Sequence, residues 1–204
     1  SPVACFAGSP SVLLQGLFNT DDQIEFFSFT NDGISTTTIE SYGYAGGVAN
    51  STTIAEGGFA PDATIFDQLG NFVVSDNGGH CDETATDSVS GLCDDPFLQI
   101  STAGTYTLAL TVYDNLAVNS LSDGFKQTGN PGFTCAENGG TGDFCDVTDG
   151  LFTPRTGAWA ISIAGATQVA DITSNTPEPG TLPMALAGSV FVVTLPRRRR
   201  RKSS

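Results

Sequence analysis

The stretch Thr105–Tyr113 constrains the fold more than any other. Tyr106, Leu108, Leu110 and Val112 alternate there with Thr105, Thr107, Ala109 and Thr111. A period of two puts one set on each side of an extended chain, which predicts a β-strand with one apolar face. The pattern recurs at short spacing. Ala158–Ile163 sets Trp159, Ile161 and Ile163 on one side. Ser35–Tyr44 is rich in β-branched and aromatic residues, with Ile39 and Ser41 alternating against Thr38, Glu40 and Tyr42. Gln23–Thr30 carries Phe27 and Phe29 on one face and Ile24 and Phe26 on the other, as a strand inside a sandwich would. Val12–Phe18, Phe97–Ser101 and Gln168–Ile172 read as further strands. Ala63–Phe66 and Phe72–Ser75 flank a turn in which Gly70 and Asn71 are expected at positive φ. Gly46–Gly58, Asp76–Asp95 and Asn115–Gly150 read as loops, and no helical period appears before the C-terminal tail. With about eight strands, this predicts an all-β fold, an antiparallel β-sandwich of jelly-roll type; an up-and-down barrel is the alternative.

Charge narrows the function. Ahead of Pro177 stand 21 Asp and Glu but only two basic residues, Lys126 and Arg155, a net charge of −19. Nucleic-acid binding is excluded, because phosphate neutralisation needs Lys and Arg. Contact of this body with an anionic membrane surface is disfavoured on the same ground. Such acidity suits solubility outside the cell and binding of divalent cations.

Cysteine use points the same way. Cys81 and Cys93, and Cys135 and Cys145, form two local pairs in Gly/Asp/Asn-rich loops, without the Cys-x-x-Cys spacing of zinc sites. Sequence-local thiols meet most readily, so Cys81–Cys93 and Cys135–Cys145 are the expected disulfides of an exported protein. Cys5 is left over, with three readings open: free, paired with another chain, or part of a processed leader. The chain opens on Ser1 rather than Met, which fits either a removed signal peptide or a fragment.

The last residues have a different character. Pro177-Glu178-Pro179 breaks the chain, Thr181–Pro196 is uncharged, and Arg197, Arg198, Arg199, Arg200, Arg201 and Lys202 follow. As a helix the uncharged run would span roughly 24 Å, short of a ~30 Å hydrocarbon core. The basic cluster would hold that end on the cytoplasmic side. This order resembles the PEP-CTERM sorting signal of Gram-negative surface proteins. The resemblance implies an exosortase-type membrane enzyme that cuts near Pro177–Pro179, and only transient anchoring in the inner membrane. Pro183 and Pro196 bracket the apolar run, which suits a transient anchor.

A second resemblance lies in the body. Thr64-Ile65-Phe66-Asp67, Gly70, Asp76-Asn77, Asp95-Pro96-Phe97 and Ala103-Gly104-Thr105-Tyr106, leading to Tyr113-Asp114-Asn115, resemble the bacterial pre-peptidase C-terminal domain. That implies a jelly-roll module without catalysis of its own. The two cysteine loops depart from its short connections. The expected division is a lead-in over 1–22, a β-sandwich over 23–176, and a sorting signal with a short tail helix over 177–204.

Candidate chemistry is sparse. His80 is the only histidine, and a nucleophile–base pair with its neighbour Cys81 would need a free thiol. Asp67, Asp76, Asn77, Asp94 and Asp95 fall at ends of predicted strands, and hard oxygen ligands on stiff strand ends suit Ca²⁺. The same residue types also form turns and cap backbone amides. Tyr42, Tyr44, Tyr113 and Trp159 are candidates for stacking on sugars. The reading that follows is a non-catalytic, exported protein of the cell envelope or exopolysaccharide matrix. It requires no cofactor, with calcium the one the residues suggest, and its partners are an exosortase and exopolysaccharide. The alternatives are a calcium-stabilised carbohydrate-binding or adhesive module and, more remotely, a hydrolase.

Overall fold

The structure, a computed structural model, describes residues 11–137, 139–145 and 155–173. Cys5, the Pro177–Pro179 segment, the tail helix and Arg197–Arg201 lie outside the described residues. The strands are β1 (Val12–Leu17), β2 (Ile24–Asn31), β3 (Thr37–Ser41), β4 (Gly47–Ala49), β5 (Thr52–Ile54), β6 (Pro61–Asp67), β7 (Phe72–Asp76), β8 (Phe97–Ile100), β9 (Gly104–Val112), β10 (Ala158–Ala164) and β11 (Thr167–Asp171).

One sheet has the order β1-β10-β3-β8 and the other β11-β2-β9-β6-β7; β4 and β5 pair separately. All ladders are antiparallel. β1 pairs with β10, β2 with β9, β3 with β8 and β6 with β7. That is one long hairpin whose successive pairs alternate between two sheets, the topology of a jelly roll. β11 extends the second sheet beside β2.

The core follows the alternation. Phe27 and Phe29 of β2, Ile39 of β3, Ile65 of β6, Leu108 and Leu110 of β9, and Ile161 and Ile163 of β10 are fully buried between the sheets. Trp159 meets Phe27 edge-on at 5.6 Å between centroids, and Phe29 stacks on Tyr106 at 5.4 Å. The outer face of β2, β9 and β6 is covered too. Phe125 packs there with Phe66 and Ala109, and Ile24, Phe26, Ala117 and Leu121 surround them. The second apolar face of β2 is thus explained by a loop folded over the sheet.

Several expectations need correction. The sandwich begins at β1 rather than at Gln23, because β1 pairs with β10 along its length and Leu14 packs on the core. The 46–58 loop contains the β4–β5 hairpin, turning at Asn50 and Ser51 with φ of 48° and 64°. Three-residue strands are too short to show a period, and Ser51 is not a glycine. In the β6–β7 turn only Gly70 has positive φ; Asn71 does not. Asn71 instead donates from its backbone and side chain to Asp67, at 2.9 and 2.8 Å. A short helix, α1 (Phe133–Glu137), and a 3-10 turn at Leu121–Asp123 interrupt the stretch read as a long loop. Among the described residues no helix is long and apolar enough to cross a membrane.

The two ends of the sandwich differ. At one end the connections are 32–36, 68–71, 101–103 and 165–166. At the other lie 18–23, 42–60, 77–96 and 113–157. Both disulfides, Cys81–Cys93 and Cys135–Cys145, are in the latter. Such bonds persist in oxidising compartments.

Candidate functional site

Buried carboxylates tie separate segments of the long-loop end together. Asp21 is fully buried and accepts the Gly132 and Thr134 amides at 2.7 and 2.8 Å, which fixes the start of α1 to the β1–β2 turn. Asp87, in the 77–96 loop, receives two parallel hydrogen bonds from Arg155, each 3.0 Å long. Both side chains are buried, and the guanidinium lies 4.0 Å over the Tyr44 ring. Its hydrogen bonds hold the Asp87 carboxyl well below the usual carboxylate range. Asn115 is also fully buried, and its side-chain oxygen accepts the Gln127 amide at 2.8 Å.

The predicted ligand residues are divided by this architecture. Asp76, Asn77, Asp94 and Asp95 come to the long-loop end, at the bases of the 77–96 loop. Asp67 does not: it sits at the opposite end of the β6–β7 hairpin and accepts amides of its own turn. Asp76 takes the Phe97 amide at 2.7 Å across from one sheet to the other, and pairs with His80 Nε2 at 2.9 Å. Asp95 takes the Tyr44 and Ala45 amides at 3.1 and 2.8 Å. Its burial raises its pKa, opposed by those donors. Among the described residues no group of three or more His, Cys, Asp and Glu side chains is placed to hold a metal ion.

Asn77 and Asp94 do something different. With Ala60 and Tyr113 they line an open cleft of about 150 Å³. Gly78 brings the two arms of the loop together: its φ is +102°, and a Cβ there would lie 2.5 Å from Asp94 Cα. The Gly79 amide donates to the Cys93 carbonyl at 2.6 Å, and the Cys81–Cys93 bond closes the loop behind it. The Tyr113 amide donates to the Ala60 carbonyl at 3.0 Å, which joins the floor to the aromatic wall. Of the four aromatic candidates, Tyr44 and Trp159 are buried and Tyr42 packs half-buried against Ala49, Ile54 and Ala160. Tyr113 is the exposed one, at 38%.

Cys81 is in a disulfide, so His80 has no neighbouring thiol to activate. Asp62 was missed at the sequence level. It lies on the outward face of β6, only 3% exposed, and accepts a hydrogen bond from the Thr64 hydroxyl at 2.8 Å. Burial, with Asp76 and Asp114 nearby, pushes its pKa up to about 6 against the lowering effect of Thr64 and Lys126. Its signal was the register: Asp62 shares the alternation of Thr64 and Phe66. Arg155 could have been found by scarcity, as one of two cations ahead of Pro177. Neither a protein-family model nor a curated protein matches this chain, so the residues themselves carry the functional reading.

Proposed function

We propose that this is a non-catalytic protein exported to the cell surface or exopolysaccharide matrix of a Gram-negative bacterium, where it works by binding through the long-loop end of its jelly roll. The observation that carries the reading is the concentration of long connections, both disulfides and the Tyr113 cleft at that one end. Binding sites favour loops held by a rigid scaffold, and these loops are tied down by buried carboxylates. A glycan is the ligand class assigned to this end, because Tyr113, the most exposed of the aromatic candidates, stands at the cleft with the polar residues Asn77 and Asp94. The address would come from Pro177-Glu178-Pro179, the apolar run and Arg197–Arg201, with an exosortase as processing partner.

The test is intact mass of the protein extracted from envelope and matrix fractions. The mature chain is expected to end near Pro179. Retention of Arg197–Ser204 on most molecules would refute the sorting reading.

A further inference from the structure

Residues 116–127 form a loop that is bonded mostly to itself. The Lys126 amide donates to the Leu116 carbonyl and the Val118 amide to the Gly124 carbonyl, each at 3.0 Å. Ala117 and Phe125 form an isolated antiparallel bridge between the two arms. At the base stands Asn115, fully buried, whose side-chain oxygen accepts the Gln127 amide. Among the described residues, one backbone bond ties the tip to the sandwich, from the Leu121 amide to the Gly70 carbonyl at 2.9 Å. The rest of the hold is apolar. Phe125 meets Phe26 and Phe66 edge-on, at 6.0 and 6.2 Å between centroids, with Ala117 and Leu121 in the same cluster. A loop joined to a sheet by so few bonds can open while the rest stays folded.

The sheet face beneath it is not uniformly apolar. Asp62, Thr64 and Phe66 share one face of β6 by alternation, and register sets Asp62 beside Thr111 of β9. Asp62 is 3% exposed and Thr111 fully buried, and the Thr111 hydroxyl has no hydrogen-bond partner among the described residues. The Asp62 carboxyl accepts the Thr64 hydroxyl. The charged groups near it are Asp76 of β7, and Asp114 and Lys126 at the base of the loop. Ile24 of β2, next in the same row of the sheet, carries no charge. The two aspartates repel an ionised Asp62. Lys126 attracts it, but this ammonium is half-exposed and already faces Asp114 at 3.5 Å. A carboxylate shut away from water here is costly until it is hydrated.

We propose that 116–127 is a pH-gated flap, hinged at Asn115 and Gln127, which stays closed over the outer face of the second sheet while Asp62 is protonated and lifts when Asp62 ionises. Lifting hydrates the carboxylate and uncovers Phe26, Phe66 and Phe125. Under the closed flap Asp62 titrates at about 6; hydrated, it returns to an ordinary 3.8. The closed state therefore holds the proton more tightly, and opening grows as pH rises through that window.

The test is amide hydrogen exchange of the folded protein, read residue by residue by NMR at pH 5 and pH 8 and at several low urea concentrations. Corrected for intrinsic rates, protection of the Leu121 amide should fall roughly tenfold between the two pH values, because about one unit of the window lies above pH 5. The fall should vanish in Asp62→Asn. Leu121 should also exchange faster than the amides of β9 and depend little on urea, since a lifted flap exposes little surface. If Leu121 follows β9 in both rate and urea dependence, Asp62 acts through global unfolding alone and there is no flap. If the fall persists in Asp62→Asn, Asp62 is not the trigger. Asp114→Asn, at a half-exposed position, serves where Asp62→Asn does not fold. It removes one repelling charge and frees Lys126, so the fall should shrink; an unchanged fall there overturns the proposal as well. None of these outcomes depends on the mass measurement that tests export and sorting.

Discussion

Replacing Asp62 by Asn should stabilise the protein at neutral pH and do little in acid. Asp62 is nearly excluded from water on the outward face of β6, and its pKa is raised from an ordinary 3.8 to about 6. The folded state therefore binds this proton more tightly than the unfolded chain does. Between pH 3.8 and about 6 the folded protein holds the proton while the unfolded one has lost it, so stability falls as pH rises through that window. Above it the penalty is complete, and below it the penalty is gone. A pKa raised by about two corresponds to roughly 3 kcal/mol. Asn keeps an oxygen for the Thr64 hydroxyl but adds an amide that needs an acceptor, which costs about 1 kcal/mol or more. A net gain of roughly 1–2 kcal/mol at pH 8 remains, or about 2–8 °C in melting temperature for a domain of this size. Urea unfolding of parent and Asp62→Asn at pH 8 and pH 4 reads it. The other carboxylates titrate in both proteins, so the difference between them isolates Asp62. A difference that is the same at both pH values, or a loss of stability at pH 8, would refute the reasoning.

Two further perturbations probe the long-loop end. Arg155→Ala leaves Asp87 buried without its counter-charge and should cost roughly 3–5 kcal/mol in urea unfolding. The Asp87 carboxyl is held below the usual range, so the pair's contribution, present above pH 3.8, should persist until the pH falls through that depressed value. Gly78→Ala places a Cβ 2.5 Å from Asp94 Cα at a φ of +102°, so it should force the two arms of the 77–96 loop apart and lower the melting temperature, read by a thermal scan.

The jelly roll was legible because its longer strands obey a strict period. In β2, β9 and β10 the apolar sets picked out by alternation are buried between two sheets, while Ala109, Thr111, Ala160 and Ser162 on the opposite faces are buried too, beyond what alternation indicated. The same logic failed for β4 and β5, where three residues cannot establish a period, and for α1, barely more than one turn long. The candidate site was less legible for a different reason. From sequence alone, an aspartate that caps an amide and one that faces a ligand look the same. Asp76 and Asp95 accept amides of Phe97, Tyr44 and Ala45, groups placed by strands remote in sequence, and only their positions reveal that role. Asp21 and Gly132 meet across 111 positions, and no local pattern announces it.

The acidity of the body acquires a structural meaning from these contacts. The loops at the long end anchor Tyr44, Phe59, Phe125 and Phe133 in apolar clusters, but the Gly-, Asp-, Asn-, Ser- and Thr-rich stretches between those anchors need another means of order. Buried carboxylates take that part. Each accepts two or more donors from a segment distant in sequence: Asp21 from 132–134, Asp95 from 44–45, and Asp87 from Arg155. Hydrogen bonds to charged groups are about twice as strong as neutral ones, which lets a few side chains hold long loops. The remaining carboxylates give the body ahead of Pro177 its strong net negative charge. One residue type thus both fixes the loops and sets the net charge of the body. The same division makes the ordered loops sensitive to the loss of a single buried acid, such as Asp21 or Asp95, in a way that loss of Asp67, which is only half-buried and bonds its own turn, should not reproduce.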